Sequence, residues 1–184
     1  MSHHKVQLNK NFPDAHNNLG KALHAKGQLT EALSHHLRAL EINPSHSNAT
    51  YSVGILQACK GNIQGSKHLF QRALELDQNN AAALFELSKN LRSIVEAQEL
   101  AKKIDKVNRI NLKKKDKSML EFAAANAYHR CKEFTKSSQK LAQANQLKLS
   151  YQKSDLSNHL VLTQKITAQT RYVAEGKSTD GTGR

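Results

Sequence analysis

The chain has 184 residues, of which 28 are Lys or Arg and 15 are Asp or Glu, for a formal net charge of +13. Two prolines, eight glycines, no Trp and an aromatic share of 5 % favour helices over sheet. Two cysteines, Cys59 and Cys131, exclude a disulfide scaffold, and the lack of any CxxC spacing excludes a zinc ribbon.

Residues 1–12 read as an N-terminal extension. Its start, MSHHKVQLNK, lacks the apolar stretch of a secretory signal. A helix is predicted near Asp14–Lys26, with Ala15, Leu19, Ala22 and Leu23 small or apolar. Gly27 ends it. A second helix near Thr30–Ile42 carries the stripe Ala32, Leu33, Leu37 and Leu40 at helical spacing. Asn43-Pro44 stops that helix, because proline disfavours the helical conformation in the residue before it.

The same pattern returns 34 residues later without a gap. Ala15 falls on Ala49, Leu19 on Val53, Gly20 on Gly54, Gly27 on Gly61, Ala32 on Ser66, Ala39 on Ala73 and Ile42 on Leu76. The units are 13–46 and 47–80. A third, degenerate unit spans 81–117: Ala83, Leu84, Leu87 and Leu91 continue the stack, and an amphipathic helix follows over Ser93–Asn108. A basic connector, Arg109–Lys117, closes it. A fourth unit, 118–150, starts three residues late, with Ala124, Ala125, Tyr128, Phe134, Ser137, Leu141 and Ala144 in register and Lys132 where the glycine stood. A capping helix is expected over 151–168 and a disordered tail over 169–184.

Reaction chemistry finds no foothold in these residues. Gly176-Lys177-Ser178 has Arg171 where a phosphate-binding loop needs its first glycine. The ten histidines show no HxxxH or HExxH spacing and read as packing or surface residues. No carboxylate pair is distinctive. The expectation is a non-enzymatic chain with no cofactor and no metal.

Charge is uneven. Residues 81–184 carry 20 of the 28 basic side chains. Lys102, Lys103, Lys106, Arg109, Lys113, Lys114, Lys115 and Lys117 form a basic patch that reads first as a solvated charge run. Its alternative use is binding nucleic acid, an anionic membrane or an acidic protein. No aromatic residue interrupts it to stack on bases.

The 34-residue period, with Leu19, Gly20, Ala32, Ala39 and Pro44 at its small and apolar positions, resembles the tetratricopeptide repeat (TPR) family. The resemblance implies an all-α solenoid of antiparallel helix pairs in a right-handed superhelix. It also implies a concave groove, lined by the first helix of each unit, that holds a peptide or partner helix. Mapped onto this chain, the groove would present Asn17, Lys21 and His24, then Asn48, Tyr51, Ser52 and Ile55, then Phe85 and Lys89.

Leu120-Glu121-Phe122-Ala123 and the ending Ala144-Asn145-Gln146-Leu147-Lys148 resemble, over about residues 13–167, the N-terminal half of bacterial TPR-sulfotransferase proteins. That resemblance implies the interaction half of such a protein, or a non-catalytic subunit, with the domain that binds the sulfuryl donor absent. No apolar run reaches the ~18–20 residues of a membrane span, and a cytoplasmic location is expected.

Overall fold

The computed structural model describes residues 12–152, and every regular element among them is a helix. The order is α1 (Pro13–Ala25), α2 (Leu29–Ile42), α3 (Ser47–Cys59), α4 (Ile63–Leu76), α5 (Ala81–Ser88), α6 (Ile94–Asp105) and α7 (Lys114–Arg130). An eighth helix, α8, covers 134–152. The capping helix and tail expected beyond 152 lie outside the described residues. The helices pack as an α-solenoid: α1 on α2, α3 on α4, with α2 against α3 and α4 against α5 as the links between pairs.

Local chemistry sets the helix ends. Pro13 occupies the first turn of α1, where its missing N–H costs nothing. Asn62, Asn80 and Ser93 cap α4, α5 and α6 by accepting the N–H of Gly65, Ala83 and Glu96. At α3 the cap is an imidazole: His46 Nδ1 accepts from Ala49 N–H at 3.3 Å, and its Nε2 faces Asp14 at 3.1 Å.

Helix α2 ends before Asn43-Pro44 as expected, but proline is not required to end a second helix. Asn43 and Asp77 both leave the helix in an extended conformation, and each accepts the N–H two residues on (Ser45 at 3.0 Å, Asn79 at 2.9 Å). This Asx turn works equally with Pro44 in the first unit and Gln78 in the second.

Close approach within each pair comes from a missing side chain. A Cβ on Gly20 would lie 2.6 Å from the His36 ring, and one on Gly54 would lie 2.7 Å from the Phe70 ring. The ring of the second helix thus sits directly on the backbone of the first. Ala32, Ala39, Ala49 and Ala73 are fully buried at the remaining crossings. The core then runs on through Leu84, Leu100, Ile104 and Leu120. Each such aliphatic side chain contributes about 1.5–3 kcal/mol when fully removed from water.

A repeated hydrogen bond fixes the register of the fourth unit. Ser47 Oγ donates to the Ala73 carbonyl at 2.8 Å, and Ser118 Oγ donates to the Ala144 carbonyl at 3.0 Å. Position 118 is therefore equivalent to 47, as the sequence offset implies. The helix itself starts earlier, because Lys114–Lys117 add a turn to α7 that α3 lacks. The basic connector is thus helical over half its length. The turn after α7 repeats the earlier ones: Gly27, Gly61 and Lys132 have φ of 78°, 82° and 62°. Only Lys132 carries a Cβ there.

The third pair departs from the pattern. α5 stops at Ser88, before Leu91, and Ser88 stands where the first two units have glycine. Its hydroxyl donates to the Phe85 carbonyl at 2.7 Å and accepts from Asn126 Nδ2 at 2.9 Å. That local bond competes with the helix. α5 and α6 touch little, and α7 packs across both.

The side chains of His16 and His35 meet across the first pair, with Nδ1 atoms 3.1 Å apart. His36 is 1 % exposed and its Nδ1 has no hydrogen-bond partner. Burial, reinforced by Lys21, His24, His35 and His46, lowers its pKa to about 4.

Two outcomes follow from these positions. Lys132→Gly relieves a left-handed residue and is expected to raise stability by about 1 kcal/mol, read from the urea midpoint. The unfolded chain takes up a proton on His36 near pH 6.5, whereas the folded chain does so only near 4. Its contribution is therefore full above pH 6.5 and lost as pH falls toward 4. His36→Phe, which copies Phe70, is expected to flatten the fall in urea midpoint between neutral pH and pH 5.

Candidate functional site: a trough lined by the first helices

The first helices lie next to one another, α1 against α3 and α5 against α7. Neighbouring helices sit 8–10 Å apart, so a flat row would hold α1 roughly 25–30 Å from α7. Yet Lys21 on α1 is within electrostatic reach of Lys115 and Asp116 on α7. That reach draws the two ends of the row toward each other, and the face they share is the candidate trough.

An aromatic ladder runs along it. Tyr51 on α3, Phe85 on α5 and Phe122 on α7 occupy equivalent positions, spaced by 34 and 37 residues. Tyr51 packs on Phe70 with ring centroids 5.6 Å apart, and Phe85 packs on Phe122 at 6.1 Å. All three ladder rings are half-buried, and Tyr51 and Phe85 also pack against the core. Burial, with the Glu86 carboxylate nearby, pushes the Tyr51 phenol well above its usual pKa, so it stays a neutral donor.

Lys89 lies over the Phe85 ring, its Nζ 4.5 Å from the centroid and 2.6 Å from Glu86 Oε1. Lys21, Asn48 and Lys89 are exposed, while His24 and Ile55 are half-buried. Desolvation lowers the Lys21 ammonium pKa below the ordinary lysine value, Asp14 and Asp116 oppose this, and Lys115 adds to it.

Two expected groove residues belong elsewhere. Asn17 is 2 % exposed, and the Ser52 hydroxyl lies 3.3 Å from its Oδ1 and donates to the Asn48 carbonyl at 2.8 Å. Both polar groups serve the α1–α3 contact, because a buried amide must find a partner there. Phe122 was missing from the expected set. The offset of 37 from Phe85 marks it, once the three-residue shift of the fourth unit is applied along α7.

The basic residues gather at the α6–α7 corner, with Lys115 in electrostatic reach of Lys21 at the edge of the trough. Lys102, Lys103, Lys106, Lys113, Lys114 and Lys115 are exposed and Lys117 half-exposed. Arg109 turns inward to Glu121 at 3.7 Å, and Lys140 reaches the same carboxylate at 2.8 Å. Among the described residues there is no cluster of three or more His, Cys, Asp or Glu able to hold a metal ion.

The tetratricopeptide repeat family model matches residues 13–46. The first helix pair is thus similar to a tetratricopeptide repeat. Among solved structures, the chain is similar to the pilF protein of Pseudomonas aeruginosa, with a TM-score of 0.60 and 17 % identity over 93 % of this chain and 78 % of that one. It is also similar to MamA, with a TM-score of 0.53 and 18 % identity over 80 % and 85 % of the two chains. No curated protein matches the chain by sequence. At these identities the likeness is one of fold, and the fold is that of TPR solenoids.

The lowered pKa of Lys21 has a chemical consequence. With an amine-acetylating reagent at mildly alkaline pH, Lys21 is expected to react faster than the chain's other exposed lysines. Asp14→Asn, which removes an opposing charge, is expected to increase that lead in a mass-spectrometric time course.

Proposed function

We propose that this protein is a non-enzymatic interaction scaffold that holds a segment of a partner protein in the trough of its first helices. The observation that carries the reading is the ladder Tyr51–Phe85–Phe122, half-buried along one face with Lys21, Asn48 and Lys89 exposed at its margins. Aromatic rings in a desolvated groove give apolar anchor sites. The Asn48 amide can pair with the backbone of an extended segment, and the two lysines can pair with its carboxylates. Nothing in this surface moves a proton, so binding is by shape, hydrogen bonds and charge. The TPR match and the two fold neighbours support the scaffold reading. The sulfotransferase connection rests on the two sequence strings alone.

The test is a photo-cross-linking amino acid placed at Asn48 in the trough or at Arg38 on the outer helix α2. A partner is expected to cross-link from position 48 and not from 38. Lys21→Glu with Lys89→Glu, both exposed changes, is expected to abolish that product while leaving the helical circular dichroism intact. Equal cross-linking from both positions, or a product that survives the charge reversals, contradicts the proposal.

A further inference from the structure

We infer that the α6–α7 corner is a docking surface for an anionic lipid bilayer, with Ile110 as the side chain that enters it. Ile110 is 81 % exposed, more than any other large apolar residue among the described residues. It is not at the end of a slack loop. The Asn108 side chain accepts the Ile110 N–H at 3.0 Å, and the Asn108 N–H donates to Asn79 Oδ1 in the α4–α5 connection at 3.1 Å. Leu112 N–H closes the turn on the Arg109 carbonyl at 3.4 Å. Val107 is buried and Leu112 half-buried on either side, and Arg109 is drawn in by Glu121. The chain thus tucks in its flanking residues and holds Ile110 out at the apex of a fixed turn.

The surroundings are cationic. Lys102, Lys103 and Lys106 end α6 on one side of the turn, and Lys113, Lys114, Lys115 and Lys117 begin α7 on the other. None of these seven makes an ion pair among the described residues, and the acidic groups nearest in sequence are Asp105 and Asp116. Four lysines at the start of α7 oppose the helix dipole, so the arrangement costs stability unless a negative charge faces it. An apolar apex between two lysine-rich helix ends matches a bilayer interface, where the lysines meet lipid phosphates and the apex meets acyl chains. A nucleic-acid site would be expected to offer rings for stacking, and the corner has none. No helix among the described residues is long and apolar enough to cross a membrane, so contact of this kind is peripheral.

The experiment is co-sedimentation of the full chain with vesicles of phosphatidylcholine, with or without phosphatidylglycerol, alongside a fluorescein-labelled single-stranded RNA. Binding is expected to the anionic vesicles only, and to weaken steeply with salt. Ile110→Ser leaves every charge in place and is expected to weaken vesicle binding about tenfold. Lys113→Gln with Lys114→Gln and Lys115→Gln is expected to weaken it about a hundredfold. All these positions are exposed, and unchanged circular dichroism verifies the fold of each variant. Absence of binding to the anionic vesicles overturns the inference. So does vesicle binding indifferent to Ile110→Ser, or RNA binding tighter than vesicle binding, either of which marks a general polyanion surface. Lys115 faces Lys21 at the edge of the trough, so the trough proposal is kept separate by the Ile110→Ser variant, which alters no residue of the trough.

Discussion

The structure depends on how closely the two helices of a pair approach. A ring on the second helix rests on a glycine of the first, His36 on Gly20 and Phe70 on Gly54, and any Cβ at those glycines would collide. That contact sets the width of the first two hairpins, and the buried alanines at 32, 39 and 73 let those two nest closely. The nesting in turn sets α1 beside α3. The fourth unit shows the same constraint from the other side. Ala125 stands in the glycine position, Leu141 replaces the ring, and Leu141 is 46 % exposed. Its pair keeps the Ser118 bond to the Ala144 carbonyl that the second pair has at Ser47, and adds one from Ser137 to the Ala125 carbonyl.

The repeat was legible because every crossing in the first two units demands a small residue at a fixed interval, and small residues are visible in sequence. The late start of the fourth unit was legible for the same reason. The ends of elements were less so. An Asx turn stops α2 and α4 with or without proline, and Lys132 holds the left-handed turn that glycine holds in the first two units. At the early end of α5 the Ser88 hydroxyl combines a local bond to the Phe85 carbonyl with one from Asn126 on α7, and the second partner is not visible in a local pattern.

The trough was half legible. Its aromatic rungs follow from the offsets, and Phe122 needed only the corrected count. Asn17 and Ser52 look like ligand contacts on a helical wheel, but they face each other between α1 and α3. A helical wheel gives the direction of a side chain and not the neighbour it meets. The basic corner was read as a charge run. Its organisation around Ile110 depends on Asn79, which is 29 residues from the Asn108 N–H it accepts, and that partnership is invisible before folding.

Charge and apolar surface are divided along the solenoid. The first pair concentrates histidines, with His16, His24, His35, His36 and His46 on or beside α1 and α2. The middle pairs carry the rings, and the α6–α7 corner carries the unpaired lysines. The interlocking of the helix pairs is the claim that joins these parts, and nuclear Overhauser effects test it most directly. Contacts from Phe70 ring protons to Gly54 Hα, together with contacts between the Phe85 and Phe122 rings, are the expected result. Their absence in a folded, helical sample would mean that the pairs do not interlock, and that no continuous trough exists.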